Sequence, residues 1–464
     1  MQAMTTVPLR DLECRSRSTL KHIPGSDGLP LFGETFAFLR SPRDWVNNGH
    51  RRYGPVFRFN TFFEPGLSVA GADFAERFFL DKERLFSSTY GWRNALGDFF
   101  RNGLMLRDFD DHKVQRRIMQ VAFKREALDA YLTLLNPLQE RAVKALGRGG
   151  ALLGYPWLKQ LTLEGAAAVF LGLELGNDSR RVNSLFVDVM GGVPAALRWN
   201  LPFSPFAKAT AGKNALRRFF ASLIPARRAR PGTDMLSILC NAISEQGERF
   251  SDDDVLDHIM FLLMAAHDTT TSALTNMLME LGRRPELQAQ LRAEARTIGP
   301  LDKSSLPKLS GIYNAFREVL RLYPPVGSIV RRTLRDCKIH GFTVPANTQV
   351  WVTPDLIHRD PALWQRPDSF DHTRFIEPRA EHKKQRFAFI PFGGGAHTCL
   401  GLQFSELQVK SLMRALLCAF EWRIAEDGAR DMQFVPFVKP RDDLPLVLTP
   451  CCRWEGERDE LAPF

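Results

Sequence analysis

Cys399 is one of seven cysteines in 464 residues, and its setting is unusual. It stands in "FAFIPFGGGAHTCLGLQ", behind Gly393, Gly394 and Gly395 and two residues ahead of Gly401. A thiolate serves as a nucleophile or a metal ligand, and either role needs a lowered pKa. A helix beginning near Leu400 would aim its first amides at the sulfur and favour negative charge there. The four glycines would let backbone and a flat ligand approach without Cβ clashes. There is no CxxC pair, which argues against a zinc ribbon or an iron–sulfur cluster.

Other groups with chemical potential lie far away in the chain. In "FREVLRLYPP", Glu318 and Arg321 are three residues apart and share a helix face, so they can pair. "AAHDTTTSAL" places Asp268 and Thr269 within a run of hydroxyls inside a long helix, where hydroxyls bond the backbone and bend it. "DDHKVQRR" sets His112 and Arg116 one turn apart on a common face.

The pattern Phe392-x-x-Gly395-x-x-x-Cys399-x-Gly401 resembles the haem-ligand signature of the cytochrome P-450 family. The resemblance covers the chain from near Ile23 to the tail, and the other motifs occur in family order. It implies that Cys399 is the axial ligand of haem b (iron protoporphyrin IX), a ligand that favours O–O cleavage. Phe392, Gly393 and Ala265 would lie against the macrocycle. His397, His112, Arg116 and Arg331 would address its propionates, with Arg332 the competitor for the last place. Glu318, Arg321 and, from "SFDHTRF", Arg374 would lock the core behind the haem. Asp268 and Thr269 would relay protons towards dioxygen. Ala266 stands where the family commonly has glycine, so the helix is expected to be less open at that point.

The resemblance implies monooxygenation. The distal lining would come from Trp92, Leu96, Phe99, Phe100, Phe261, Met264, Val326, Gly327 and Ile329, with Leu104 as an addition. That lining is apolar and aromatic, which fits a lipophilic substrate such as a steroid, terpenoid or retinoid-like compound. No Gly-rich dinucleotide fingerprint follows a strand, and "GRGGALLG" at 147–154 reads as a loop between helices. Electrons are therefore expected from a ferredoxin or flavodoxin-type donor with its reductase. Lys113, Arg117, Lys383, Lys384, Arg386 and Lys410 are candidates for steering such an acidic partner. A peroxygenase, an isomerase or dehydratase, and a haem sensor are the alternatives; the Asp268–Thr269 pair argues against the first and the last.

These side chains need a scaffold. Apolar and charged fractions of 44% and 25% are those of a globular protein, and no repeat or low-complexity linker divides the chain. One P-450 domain over 1–464 is expected, with a short flexible segment at about 1–22. The net charge of +10 comes without a nucleic-acid-binding motif, so nucleic acid is not expected as a partner. The N-terminus lacks the apolar core of a signal peptide or anchor, and Ile259 to Ala266 is too short to span a bilayer. Together with the sparse cysteines this predicts a cytoplasmic protein. A helix should close at Gly54 and a strand begin near Val56, with "GLSVAG" as its partner. A helical middle follows, in which "NALRRFFASLIPARR" reads as one helix. Ser251 and three aspartates should open the longest helix. Pro324 and Pro325 should stop the Glu318 helix, and another should run from Gln403 to Phe420. The expected fold is mainly α with a small β-rich lobe built from both ends, the long helix crossing over the haem.

Overall fold

Ser251 opens the element around which the rest is arranged. Its hydroxyl accepts the Asp254 N–H at 3.1 Å, and Asp252, Asp253 and Asp254 place negative charge in the first turn. The helix then runs 31 residues, Asp252–Gly282, about 46 Å at 1.5 Å per residue. From Val255 to Leu281 every side chain is buried except Ala265, Ala266 and Thr269. A helix so enclosed on all sides is a central one. Its neighbours are the helices Gly154–Leu171 and Ser310–Leu322 and the cysteine helix Leu402–Ala419. The computed structural model describes residues 20–451 apart from 174–177, 194, 196–197, 244–246, 248 and 300. The expectation of a flexible N-terminal segment falls, up to residue 19, outside the described residues, as do Cys14 and Cys452.

Gly54, at φ +96°, caps the helix Pro42–Tyr53 and turns the chain into strand Val56–Thr61, which pairs antiparallel with Glu64–Val69. That hairpin joins strands from the other half of the chain. Glu64–Val69 runs parallel to Gln349–Val352, and Ile329–Thr333 and Phe86–Ser87 complete five strands. The helix Ser88–Leu96 rests directly on this sheet: a Cβ on Gly91 would lie 2.6 Å from the Arg331 Cα. Among the described residues no helix is long and apolar enough to cross a membrane.

Two expectations need correction. "GRGGALLG" is not a plain loop, because Gly150–Leu153 forms a strand against Pro445–Pro450, which also pairs with Phe420–Ile424. Its partner lies almost three hundred residues away, beyond the reach of local pattern. "NALRRFFASLIPARR" breaks into the end of Pro205–Ala221 and the short helix Ile224–Ala229. Pro225 lacks the N–H a continuous helix would use, and so begins a new helix.

Candidate functional site

The Cys399 loop is held by close packing. Gly395 has φ +63°, and a Cβ there would sit 2.0 Å from the Phe79 carbonyl oxygen; one on Gly394 would sit 2.6 Å from the Phe387 ring. These glycines let the loop lie against helix Ala72–Leu80. They answer to protein packing, not to a flat ligand as the sequence reading had it. Gly393, φ +66°, has nothing nearer than 3.8 Å, so its face is open. The Cys399 N–H donates to the Phe392 carbonyl at 2.9 Å, folding the loop back on itself. The helix runs Leu402–Ala419, starting between the Leu400 expected from the sulfur's needs and the Gln403 expected from the pattern, and the Gly401 N–H is the amide that reaches the sulfur.

Cys399 is enclosed by protein, yet its side chain is accessible, because the sulfur opens on a cavity of about 360 Å³. Arg116, Gln120, Phe123, Lys124 and Leu400 line that cavity. Burial pushes the thiol pKa up, while the Gly401 N–H and the Arg116 charge pull it down. The net direction is upward, so a stable thiolate here calls for a cation or metal against the sulfur.

Four basic side chains gather beside it. The His112 and His397 rings stack with centroids 3.9 Å apart. Arg331 is buried, lies over Phe78 and Phe79 at 4.8 and 5.8 Å, and donates to the Phe78 carbonyl. Burial, then Arg116 and Arg331, push His112 down to about 4; burial and the same cations hold His397 well below its ordinary value. Both imidazoles are thus neutral donors near pH 7, and His112 Nε2 is buried without a hydrogen-bond partner. The carboxylates nearby are engaged elsewhere. Asp81 accepts from the Leu85 and Phe86 amides, and Asp108 from Ser87 Oγ and the Ser88 amide. Two guanidinium groups and two imidazole donors that pair with no carboxylate among the described residues fit a dianionic group such as a pair of propionates. Arg332 points the other way, as strand alternation requires, and pairs with Glu64 at 2.5 Å.

Between Val255 and Leu281 the central helix leaves Ala265, Ala266 and Thr269 partly exposed. Thr269 Oγ1 donates to the Ala265 carbonyl at 2.6 Å, one turn back, a bond that bends helices. Asp268 lies about 100° further round the helix. It faces helix Gly154–Leu171, where Lys159 Nζ is 3.1 Å away. Sequence reasoning missed Lys159; its signal was a lone lysine within the apolar run "YPWLKQLTL".

Glu318, Arg321 and Arg374 are brought together with no exposed surface. Glu318 accepts from Arg321 Nε at 2.7 Å and from Arg374 Nε at 3.0 Å. The remaining guanidinium N–H groups go to the His358, Pro367 and Ser369 carbonyls and to Glu381. Two partners here were not foreseen: Glu381 and His358. Burial pushes His358 down to about 3; its Nδ1 lies 3.2 Å from the Arg321 carbonyl and its Nε2 accepts the Ile390 N–H at 2.9 Å. The neutral ring therefore ties the Glu318 helix to the loop that leads to Cys399.

The residues expected to line a substrate pocket divide into two sets. Trp92, Val326 and Ile329 are half-buried and Gly327 is exposed, whereas Leu96, Leu104 and Met264 are buried. Phe100 meets Phe261 edge-on at 6.2 Å and Phe99 lies 5.7 Å from Phe206, so these rings also pack the core. Among the basic candidates, Lys410 is corrected. It is buried, donates to Glu406 and the Leu306 carbonyl, and lies over the Tyr313 ring, so it is a structural tie and not a steering charge.

Comparison with known proteins agrees with this geometry. The Cytochrome P450 family model matches residues 23–446. The Mycobacterium tuberculosis protein bearing the name cytochrome P450 136 is 36% identical over 443 residues, covering 93% of this chain and 89% of that one. Cytochrome P450 120 of Synechocystis is 30% identical, over 92% of this chain and 96% of its own length. Among solved structures, retinoic acid-bound cyanobacterial CYP120A1 superposes with a TM-score of 0.87 at 28% identity, over 92% of this chain and 99% of that one. On these matches the chain belongs to the cytochrome P450 family, and is a haem-dependent monooxygenase.

Proposed function

We propose that Cys399 is the axial thiolate of the haem and that the enzyme oxidises a lipophilic, retinoid-like small molecule. The observation that carries this reading is the cluster of His112, Arg116, Arg331 and His397 beside an accessible Cys399, paired with no carboxylate among the described residues. Bound haem supplies reductive cleavage of dioxygen and delivery of one oxygen atom to a C–H bond. The chain's own residues hold and orient it. Arg116 and Arg331 would bind the propionates through guanidinium forks, and His112 would donate its unpartnered Nε2–H. Phe392, Gly393 and Ala265 would lie against the macrocycle, and the hydrogen-bonded core of Glu318, Arg321 and Arg374 keeps the cysteine loop in place.

Asp268 would hold a proton and Thr269 would pass it on, one facing the protein interior and the other the open side of the helix. Val326 and Ile329, with Trp92, offer apolar surface to a substrate. The retinoid class is supported by CYP120A1, whose structure holds retinoic acid. Electrons would come from a ferredoxin or flavodoxin-type protein with its reductase. Cys240, Cys337 and Cys399 are free thiols, in keeping with work in the cytoplasm.

The test is spectroscopic. Reduced protein under carbon monoxide should give the thiolate-type Soret band, and Cys399→Ala should lose it. No such band in wild type sinks the assignment. Titration with retinoic acid, a steroid and a terpenoid should give the largest spin-state shift with the retinoid, and no shift with any of them removes the substrate class.

A further inference from the structure

The interface between helix Gly154–Leu171 and the central helix is buried, yet a line of polar side chains runs through it. Tyr155, Lys159 and Thr162 stand on one helix, at spacings of four and three that place them on a single face. His267, Asp268 and Thr271 stand on the other. Lys159 Nζ lies 3.1 Å from Asp268 Oδ1 and 3.5 Å from Tyr155 Oη, and the Thr162 and Thr271 hydroxyls are 2.6 Å apart. The inner end is closed: Asp268 is 2% exposed and His267 not at all. Lys159 is near enough to pair with Asp268, but neither carboxylate oxygen receives a well-aligned hydrogen bond, and His267 Nδ1 stands 3.6 Å from Asp268 Oδ1, beyond hydrogen-bond reach. Buried polar groups left this way are costly, and a polar recess of this kind holds ordered water.

The outer end reaches solvent. Lys439 Nζ lies 4.3 Å from the centre of the Tyr155 ring and pairs with Asp443, whose side chain is 39% exposed. Exposure therefore falls steadily inward, from Asp443 through Lys439 and Tyr155 to Lys159 and Asp268. Desolvation opposes the charge on Lys159, but Asp268 and Tyr155 outweigh it and raise the pKa; burial likewise raises the Tyr155 phenol. Both groups are thus protonated at rest.

We propose that this seam carries solvent protons to Asp268, with Tyr155 and Lys159 as the relay and positioning residues. The inference rests on the reading of Asp268 as the proton holder. In one transfer the Lys159 ammonium gives a proton to the Asp268 carboxylate, and Lys159 regains one from the Tyr155 hydroxyl. Tyr155 takes its replacement from hydronium or buffer acid, admitted where the Lys439–Asp443 pair parts. The balance is one proton in and one carboxyl formed. The seam reaches the central helix mainly on the face away from Ala266 and Thr269, so a molecule lying against those two residues does not block proton supply.

One test needs no turnover. In Lys159→Met the buried Asp268 loses its counter-charge and should take up a proton, giving a carboxylic-acid infrared band absent from Lys159→Met/Asp268→Asn. Deuterium exchange of that band should be slow, because Lys159 was its route to Tyr155, and adding Tyr155→Phe should change the rate less than about twofold. In turnover, Tyr155→Phe alone should raise the solvent deuterium isotope effect and lower kcat by about tenfold, with the substrate-binding spectrum unchanged. A kcat and isotope effect that ignore Tyr155→Phe, or an exchange in Lys159→Met that Tyr155→Phe slows about tenfold, overturn the proposal. Loss of the carbon monoxide band alone overturns the haem-thiolate reading and leaves the exchange result standing.

Discussion

His258, His267 and His358 are buried histidines whose charged forms the protein does not accommodate; burial pushes them to about 4, 4 and 3. Their folded pKa values lie below the unfolded value of 6.5, so the unfolded chain takes up protons first as pH falls. Stability should be level above pH 7 and fall below about 6.5, each histidine contributing a slope of about 1.4 kcal/mol per pH unit until its own folded pKa is reached. Urea midpoints between pH 7.5 and 5 check this, and His258→Gln should flatten the curve. Glu318 poses a sharper case. Glu318→Gln leaves Arg321 and Arg374 buried without their shared counter-charge, and should cost about 3–5 kcal/mol. Thermal unfolding and the yield of haem-loaded protein are the measurements, and a loss under 1 kcal/mol would contradict the arrangement.

The cysteine loop makes a testable element because its glycines serve different ends. Gly395→Ala combines a left-handed backbone with a Cβ 2.0 Å from a carbonyl oxygen of another helix, so the loop must move. Gly393→Ala meets no close protein neighbour but adds a Cβ on the face proposed to lie against the haem, so besides a left-handed penalty of about 1–2 kcal/mol it should lower haem occupancy without abolishing it. Carbon monoxide spectra should show the first variant without a thiolate band and the second with one. The local signals here were readable: Ser251 before three aspartates, Gly54 before a β-forming run, and Pro324 after an amphipathic helix all act within one or two turns of themselves. The Gly150–Leu153 strand was not readable, because its partner strand begins at Pro445. Neither was the packing role of Gly394 and Gly395, since Phe79 and Phe387 are what exclude a Cβ.

At the scale of the molecule, the excess of positive charge is not a uniform docking field. Lys410 is consumed internally, and Lys410→Met should lower stability by about 1–3 kcal/mol while leaving the salt dependence of electron transfer unchanged. Lys113 remains exposed, and Lys113→Gln should weaken association with an acidic electron donor, most visibly at low ionic strength. Stopped-flow reduction at two salt concentrations separates the two variants. The chain by itself determined which residue types could meet: a cysteine among glycines, a Glu and Arg on one helix face, an acid beside an alcohol, and basic residues enough for two propionates. Helix spacing and glycine permissiveness act locally, so those motifs can be read one at a time. Only the tertiary structure decided that Arg331 and not Arg332 turns inward, that Asp268 is covered by the Lys159 helix while Thr269 stays partly exposed, and that Lys159, Glu381 and His358 complete the sets. Each of those outcomes depends on which distant surface covers a side chain, and burial of that kind is a property of the packed molecule.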